Sequence, residues 1–361
     1  MLIKNDINNI SYCIAMSLND SNLLNILNNI LKEKKIKDIA KELNISIGTI
    51  KRWIELNNIP QLYTFELMRI ADIDIDYSKF TYKEKDQFFT PIETAKYCYN
   101  KLLDILKFYN EEEKEYIYIE PSAGNGSFLN LLPINRRIGI DIESKNKEII
   151  EYDYLKWKPN NIDNKYIVIG NPPFGLRGQL ALKFILHSNN FADYVCFILP
   201  QLFESDGKGV PRKRVIGYNL IHSEKLNSNF EEPTGKKIKI ECIFQIWSKY
   251  HNNIKFIIRE TDNTIMNIYS LSDGGTPSST RNKNMFYKCD VYIPSTCYGK
   301  ENMKYYESFN TLPNKKGYGI VFNKDKELNI EKFKNIKWDT IAFLSTNSAY
   351  NIRTSQIKEQ F

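Results

Sequence analysis

The sequence predicts an α/β fold, a largely parallel sheet covered by helices on both faces, preceded by a small all-α module. Three observations carry that expectation. Short apolar runs at Tyr116-Ile117-Tyr118-Ile119, Ile138-Gly139-Ile140, Tyr166-Ile167-Val168-Ile169 and 194–199 have strand length and lack polar alternation, as buried parallel strands do. Helical spacing recurs at 94–106 and around 178–187, and strand–helix alternation is the mark of a parallel sheet. Upstream, Ile36, Ile39, Ala40 and Leu43 repeat at helical spacing, stop at Asn44-Ile45-Ser46, and resume with Ile50, Trp53 and Ile54 facing inward.

Taken in order, residues 1–71 read as a helix-turn-helix. Ala40 is small enough for a close helix crossing, Asn44 tolerates a left-handed turn, and Ser46 can cap the second helix. That helix offers Ser46, Thr49, Lys51 and Arg52 outward, polar and basic types suited to a DNA major groove. A helical hairpin packed on the remainder of the chain would show the same apolar pattern. Residues 72–85 read as a polar connector.

Residues 86–250 hold the chemistry. The run at 116–119 ends in Glu120-Pro121-Ser122-Ala123-Gly124-Asn125-Gly126-Ser127-Phe128, and an apolar, helix-like stretch follows through Leu132. Strand, Gly-rich turn and helix together predict a nucleotide cradle, in which Gly124 and Gly126 admit a ligand to the backbone. The next strand ends at Asp141, about twenty residues on, where a carboxylate can hold ribose hydroxyls. Asp153, in Glu151-Tyr152-Asp153-Tyr154-Leu155, is placed to bond an adenine amino group.

Asn171-Pro172-Pro173-Phe174, after the run at 166–169 and Gly170, suits methyl transfer to an amino group. A nucleobase amine is a poor nucleophile because its lone pair is delocalised into the ring. The Asn171 side-chain carbonyl and the Pro172 main-chain carbonyl can accept both N–H hydrogens and localise that pair as the nitrogen attacks. The two prolines stiffen the chain and donate no N–H, and Phe174 offers a flat face to a base. A Pro-rich turn at a strand end would account for the prolines alone.

These segments, in this order, resemble the S-adenosylmethionine-dependent DNA amino-methyltransferases, and their gamma group in particular. Gln87-Phe88-Phe89-Thr90-Pro91 is similar to the element that in this family closes over the cofactor's methionine end, and Asn229-Phe230-Glu231-Glu232-Pro233 before Lys237-Ile238-Lys239-Ile240 resembles its aromatic loop and hairpin. Phe89 and Phe174 stand where Tyr is common. The resemblance spans about residues 86–250 and implies a Rossmann-like, class I methyltransferase sheet of seven strands with a reversed terminal strand. It implies S-adenosylmethionine as cofactor, held by Phe89, Thr90, Pro91, Glu120, Ser122, Ala123, Gly124, Gly126, Asp141, Ile142, Asp153, Tyr154 and Asn171. Asn171, Pro172, Pro173 and Phe174 would be catalytic, with the target adenine flipped from duplex DNA and stacked between Phe174 and Phe230. A cognate restriction endonuclease is the partner such enzymes imply. Alternatives are a protein-glutamine methyltransferase, which faces the same amide problem, and a DNA-binding regulator on an inactive methyltransferase fold. Cytosine amino-methylation fits less well, because those enzymes more often carry Ser at the position of Asn171.

Composition is compatible with an intracellular enzyme. Its six cysteines are scattered, so reduced thiols are expected rather than a zinc site or disulfide frame. Three histidines leave little for histidine-based catalysis, and no metal site is expected. The net charge of +7 has the sign a polyanion partner requires. Lys208, Arg212, Lys213 and Arg214 lie in a basic, Gly-containing loop that suits DNA-backbone contact. Residues 251–361 interleave lysines with aromatics (Phe286, Tyr287, Tyr292, Tyr298, Tyr305, Tyr306, Tyr318) and read as a small target-recognition region.

Overall fold

The computed structural model describes residues 20–144, 146–205, 210–226, 229–253, 265–277, 279–344 and 349–361. They form two compact units, residues up to 88 with 173–180, and 89–172 with 181–361.

The first unit is helical: α1 (Asp20–Glu33), α2 (Ile36–Glu42), α3 (Ile47–Glu55) and α4 (Thr64–Ile70). Leu23, Leu27, Ile39, Ile50, Ile59 and Leu67 are fully buried at its centre. Asn44 takes the left-handed conformation at φ 53°, turning the chain between α2 and α3. Ser46 caps α3, its Oγ accepting the Thr49 N–H at 3.1 Å. Ile54, expected to face inward, is exposed; Ile50 and Trp53 form the buried stripe, and Ile54 falls just beyond it. Ile73, Ile75 and Phe80, in the stretch that reads as a polar connector, pack on this core together with Leu176.

The second unit opens with α5 (Ile92–Phe108) and then β1 (Tyr116–Glu120), β2 (Arg137–Asp141), β3 (Ile149–Glu151) and β4 (Lys165–Gly170). The helix α6 (Gln179–Ser188), β5 (Tyr194–Pro200), β6 (Asn219–Leu226), a short β7 (Asn229–Glu231) and β8 (Lys237–Lys239), and β9 (Cys242–Ser248) follow. Seven strands make one sheet in the order β3-β2-β1-β4-β5-β9-β6. The pairs from β3 to β5 are parallel, while β9 runs antiparallel to both β5 and β6. This is the Rossmann-like order that the sequence resemblance implies, seven strands with β9 reversed between β5 and β6. The central strands β4 and β5 are buried on both faces, which their unbroken apolar runs require.

Two local expectations give way. No α-helix follows the Gly-rich turn: Leu129–Leu131 form a single 3-10 turn, stopped by Pro133. The apolar stretch 238–247, which reads as part of one terminal hairpin, is divided, since β8 pairs with β7 while β9 enters the main sheet.

Beyond β9, antiparallel strands β10 (Met266–Ser272), β11 (Val291–Pro294) and β13 (Lys316–Phe322) form one small sheet, and β12 (Thr296–Tyr298), β14 (Phe343–Leu344) and β15 (Ala349–Asn351) another. Trp338, Phe333, Ile293 and Ile320 centre their core. Of the aromatics in this region, Phe286 and Tyr292 are core residues, whereas Tyr287 and Tyr298 are exposed. Among the described residues no helix is long and apolar enough to cross a membrane.

Candidate active site

Parallel pairing sends the carboxyl ends of β1, β2 and β4 to one edge of the sheet, so Glu120, Asp141 and Asn171 emerge there together. The chain leaving β1 is fastened to its neighbours by main-chain and hydroxyl bonds. Ala123 N–H donates to the Ile140 carbonyl at 2.9 Å, docking the Gly-rich turn on β2. Gly124 and Gly126 have φ of 50° and 82°, the left-handed region in which a side chain is strained. A Cβ on Gly124 would stand 3.3 Å from the Phe89 ring, so glycine lets that ring pack directly on the turn's backbone. Asp141 braces it: Oδ2 accepts the Gly124 N–H at 2.7 Å and Oδ1 the Glu143 N–H at 2.9 Å. Ile142 lies half-buried beside it.

Two serines tie the turn to the other motifs. Ser122 Oγ–H donates to the Asn171 main-chain carbonyl at 3.0 Å. Ser127 Oγ–H donates to the Thr90 carbonyl at 2.6 Å. Pro91 leads directly into α5, its carbonyl accepting the Ala95 N–H at 3.0 Å. Phe89 and Glu231 exchange two main-chain hydrogen bonds, 2.7 Å and 3.0 Å, so the Phe-Thr-Pro element and the β7–β8 hairpin form a one-residue bridge.

Asn171 carries an unmet hydrogen-bonding group at this edge. Its main-chain carbonyl is engaged by Ser122, but its side-chain Oδ1 is buried and meets no hydrogen-bond donor among the described residues. A buried acceptor left unmet is costly, and a ligand amine is the type of group that would meet it. Pro172, which follows, is buried and Pro173 half-buried. Farther along, in the helical unit, Phe174 N–H and Gly175 N–H both donate to Asp86 Oδ2, at 2.7 Å and 3.0 Å.

Several candidate residues turn inward. Glu120 is 2% exposed and accepts the N–H of Leu129 at 2.6 Å, and that of Phe128 as well; burial pushes its carboxyl well above the ordinary range. Tyr154 is a core residue whose hydroxyl bonds Ser188 Oγ at 2.7 Å. Phe230 is 1% exposed. Asp153 is half-buried, and its Oδ1 accepts the Leu155 N–H at 2.9 Å, folding its own turn.

Among the candidate DNA contacts, Lys51 and Arg52 are exposed on α3, whereas Ser46 and Thr49 bond one another, hydroxyl to hydroxyl, at 2.8 Å. Pro211–Arg214 form a 3-10 turn in which Lys213 is exposed and Arg212 and Arg214 are half-buried, burial lowering the Arg214 pKa. Lys208 lies outside the described residues. Nothing in the sequence marks Asp86: it closes the polar run Lys83-Glu84-Lys85, and its partners are 88 and 89 residues away. Ser127 falls inside the Gly-rich run, but nothing in that run singles out its bond to Thr90.

These groups fit a nucleoside sulfonium. Glycine at 124 and 126 leaves the turn's backbone bare between the Phe89 ring and the Asn130 amide, and a carboxylate such as that of Asp141 has about four acceptor sites, enough to brace a turn and meet hydroxyls as well.

The chain matches no protein-family model and no curated protein. Among solved structures, it is similar to a Pyrococcus horikoshii protein provisionally named an RNA methyltransferase, at 19% identity over 46% of this chain and 87% of that one, with a TM-score of 0.34. A Thermoplasma acidophilum protein aligns at 17% identity over 44% and 86%, with a TM-score of 0.26. A chain from a type I R-M system aligns at 11% identity over 63% and 61%, with a TM-score of 0.29. None is close enough to transfer an activity, and the fold rests on the strand order of this chain itself.

Proposed function

We propose that this protein methylates the exocyclic amino group of adenine in duplex DNA, with S-adenosylmethionine as donor. The unmet Asn171 Oδ1 carries the reading, because it is an acceptor held at the carboxyl edge of the sheet with nothing among the described residues to satisfy it. When bound, the cofactor supplies an electrophilic methyl on a sulfonium. The Gly-rich turn and Asp141 would hold its nucleoside, and Phe89, Thr90 and Pro91 would cover its methionine end. Asn171 Oδ1 takes one amine hydrogen and the Pro172 carbonyl the other, which localises the nitrogen lone pair toward the methyl. The nitrogen would take the methyl as its bond to sulfur breaks, and the surplus amine proton would leave to water. The Phe174 ring gives the extruded base an apolar face.

The preference for DNA over a glutamine side chain is supported by the turn between α2 and α3, the exposed Lys51 and Arg52, and the net charge of +7. The test uses the purified full chain and a methyl-labelled donor, offered duplex DNA and a glutamine-containing peptide in parallel, with digestion of the DNA to nucleosides. Label in N6-methyladenine is the expected outcome. Label in the peptide would favour the glutamine alternative, and label in N4-methylcytosine would move the target base.

A further inference from the structure

The helical unit holds a contact that no motif announces. Asp86 sits in the left-handed region at φ 55°, which Asp tolerates better than most residues, and projects its carboxylate onto residues 174 and 175. One oxygen, Oδ2, collects two successive N–H groups. Such a pair of adjacent main-chain donors is a small anion-binding concavity.

Why those two donors is answered by the sequence before them. Pro172 and Pro173 have no N–H, so Phe174 and Gly175 carry the first main-chain donors after Asn171. The two prolines cannot fasten the loop through their own amides, and Asp86 takes the first two main-chain donors that follow them. The remaining groups lock the same point. Phe174 C=O accepts the Leu180 N–H at 3.1 Å. Gly175 has φ 64°, and a Cβ there would lie 2.6 Å from Leu180 Cβ, so this residue can only be glycine in this path. Both faces of the Phe174–Gly175 peptide are therefore fixed, one by the carboxylate and one by the start of α6. Burial raises the Asp86 carboxyl above its ordinary value while the two N–H bonds draw it back, as for a charge kept in place by its donors.

We infer that Asp86 is a positioning residue: its carboxylate holds the main chain of Phe174 and so sets the carboxyl-side end of the Asn171-Pro172-Pro173-Phe174 segment for the transfer step. This rests on the function proposed above. Asp86 Oδ2 is engaged by the Phe174 and Gly175 N–H groups, and in this reading it acts through the peptide it grips. Its loss therefore lowers turnover more than it weakens either ligand.

Two variants of the full chain test this. Asp86→Gly deletes the carboxylate and leaves a residue at ease in the left-handed region, so backbone strain does not confuse the result. Asp86→Asn keeps an acceptor oxygen and the same backbone tolerance. Loss of two charge-assisted bonds predicts a kcat about 10- to 100-fold lower in Asp86→Gly, with cofactor Kd and DNA KM changed less than about 3-fold, and substantial recovery in Asp86→Asn. Amide hydrogen exchange at Phe174 and Gly175 should accelerate in Asp86→Gly. Wild-type kcat in a folded Asp86→Gly variant overturns the inference, as does unchanged exchange at those two amides. An equal loss of kcat in the Asn variant, with wild-type exchange, would also overturn it. Should the wild-type chain methylate no DNA, the functional reading falls, and the exchange measurement alone decides whether the clasp exists.

Discussion

Replacing Asn171 by Ala should lower activity without lowering stability, a combination that separates a catalytic acceptor from a structural one. Asn171 Oδ1 receives no hydrogen bond from the described residues, so truncation removes none from the folded state. A buried acceptor left unpaired costs about 1–3 kcal/mol. Truncating a half-buried side chain also forfeits some packing, which offsets about 1 kcal/mol of that relief. The folded variant should be as stable as the wild type, or more stable by about 1–2 kcal/mol on the same arithmetic. Turnover moves the other way. Deleting one preorganised group aimed at developing charge lowers kcat by about 100- to 1000-fold, or about 2.7–4 kcal/mol of transition-state stabilisation. Cofactor affinity should hold. The assay pairs methyl incorporation into duplex DNA with urea unfolding and calorimetric titration of the cofactor. Turnover within about 3-fold of wild type would refute the catalytic role, because no transition-state interaction was then removed. A stability loss of more than about 2 kcal/mol would refute it equally, as the signature of a residue that the fold depends on.

Phe230→Ala should destabilise the chain by about 3–5 kcal/mol in denaturant, since the ring is 1% exposed; a loss under about 1 kcal/mol would mean that the ring is free to leave its site. Tyr154→Phe should cost about 0.5–1.5 kcal/mol through the lost bond to Ser188, with cofactor Kd unchanged, and a weakened Kd would support a cofactor contact at Tyr154. Glu120→Gln should become more stable relative to wild type as pH rises. Burial raises the folded pKa of Glu120 above its ordinary 4.5, so the stability this group contributes is complete below 4.5 and is lost as pH climbs through the folded value. Urea midpoints at successive pH values check the sign, and a difference that narrows with rising pH would refute it. Lys51→Ala with Arg52→Ala should flatten the dependence of log affinity on log salt by about 1 per phosphate contact, and an unchanged slope would remove α3 from the DNA interface.

The parallel strands were legible because each is a short, unbroken apolar run, and the motifs at their ends follow from where those runs stop. The edge strands were not. β6 carries His222, Ser223 and Glu224 in its interior, and β3 has only three residues, so neither shows an apolar run to read. The stretch 128–132 looked helical because Phe128, Leu129 and Leu132 are spaced as on one helix face; Pro133 and the hold of Glu120 on the Leu129 N–H limit it to one turn. Within the candidate site, Asn171 and the Gly-rich turn could be singled out because each follows directly on a strand-length apolar run and they occur in one order; a plain turn would explain either alone. The burial of Phe230 and Tyr154 could not, because a ring that stacks on a ligand and a ring that fills a core have the same composition. Asp86 is the extreme case: a charged residue in a polar run is ordinarily solvated, and only a fold that brings residue 174 beside it makes it otherwise.

The bridge between Phe89 and Glu231 links two stretches of chain through main-chain atoms alone. Restricting either stretch therefore restricts the other, and the entropy lost in ordering the pair is lost once, not twice. Any two ligands that separately engage these stretches are coupled by that saving. Linkage makes the coupling reciprocal, so each raises the affinity of the other by the same factor whichever arrives first.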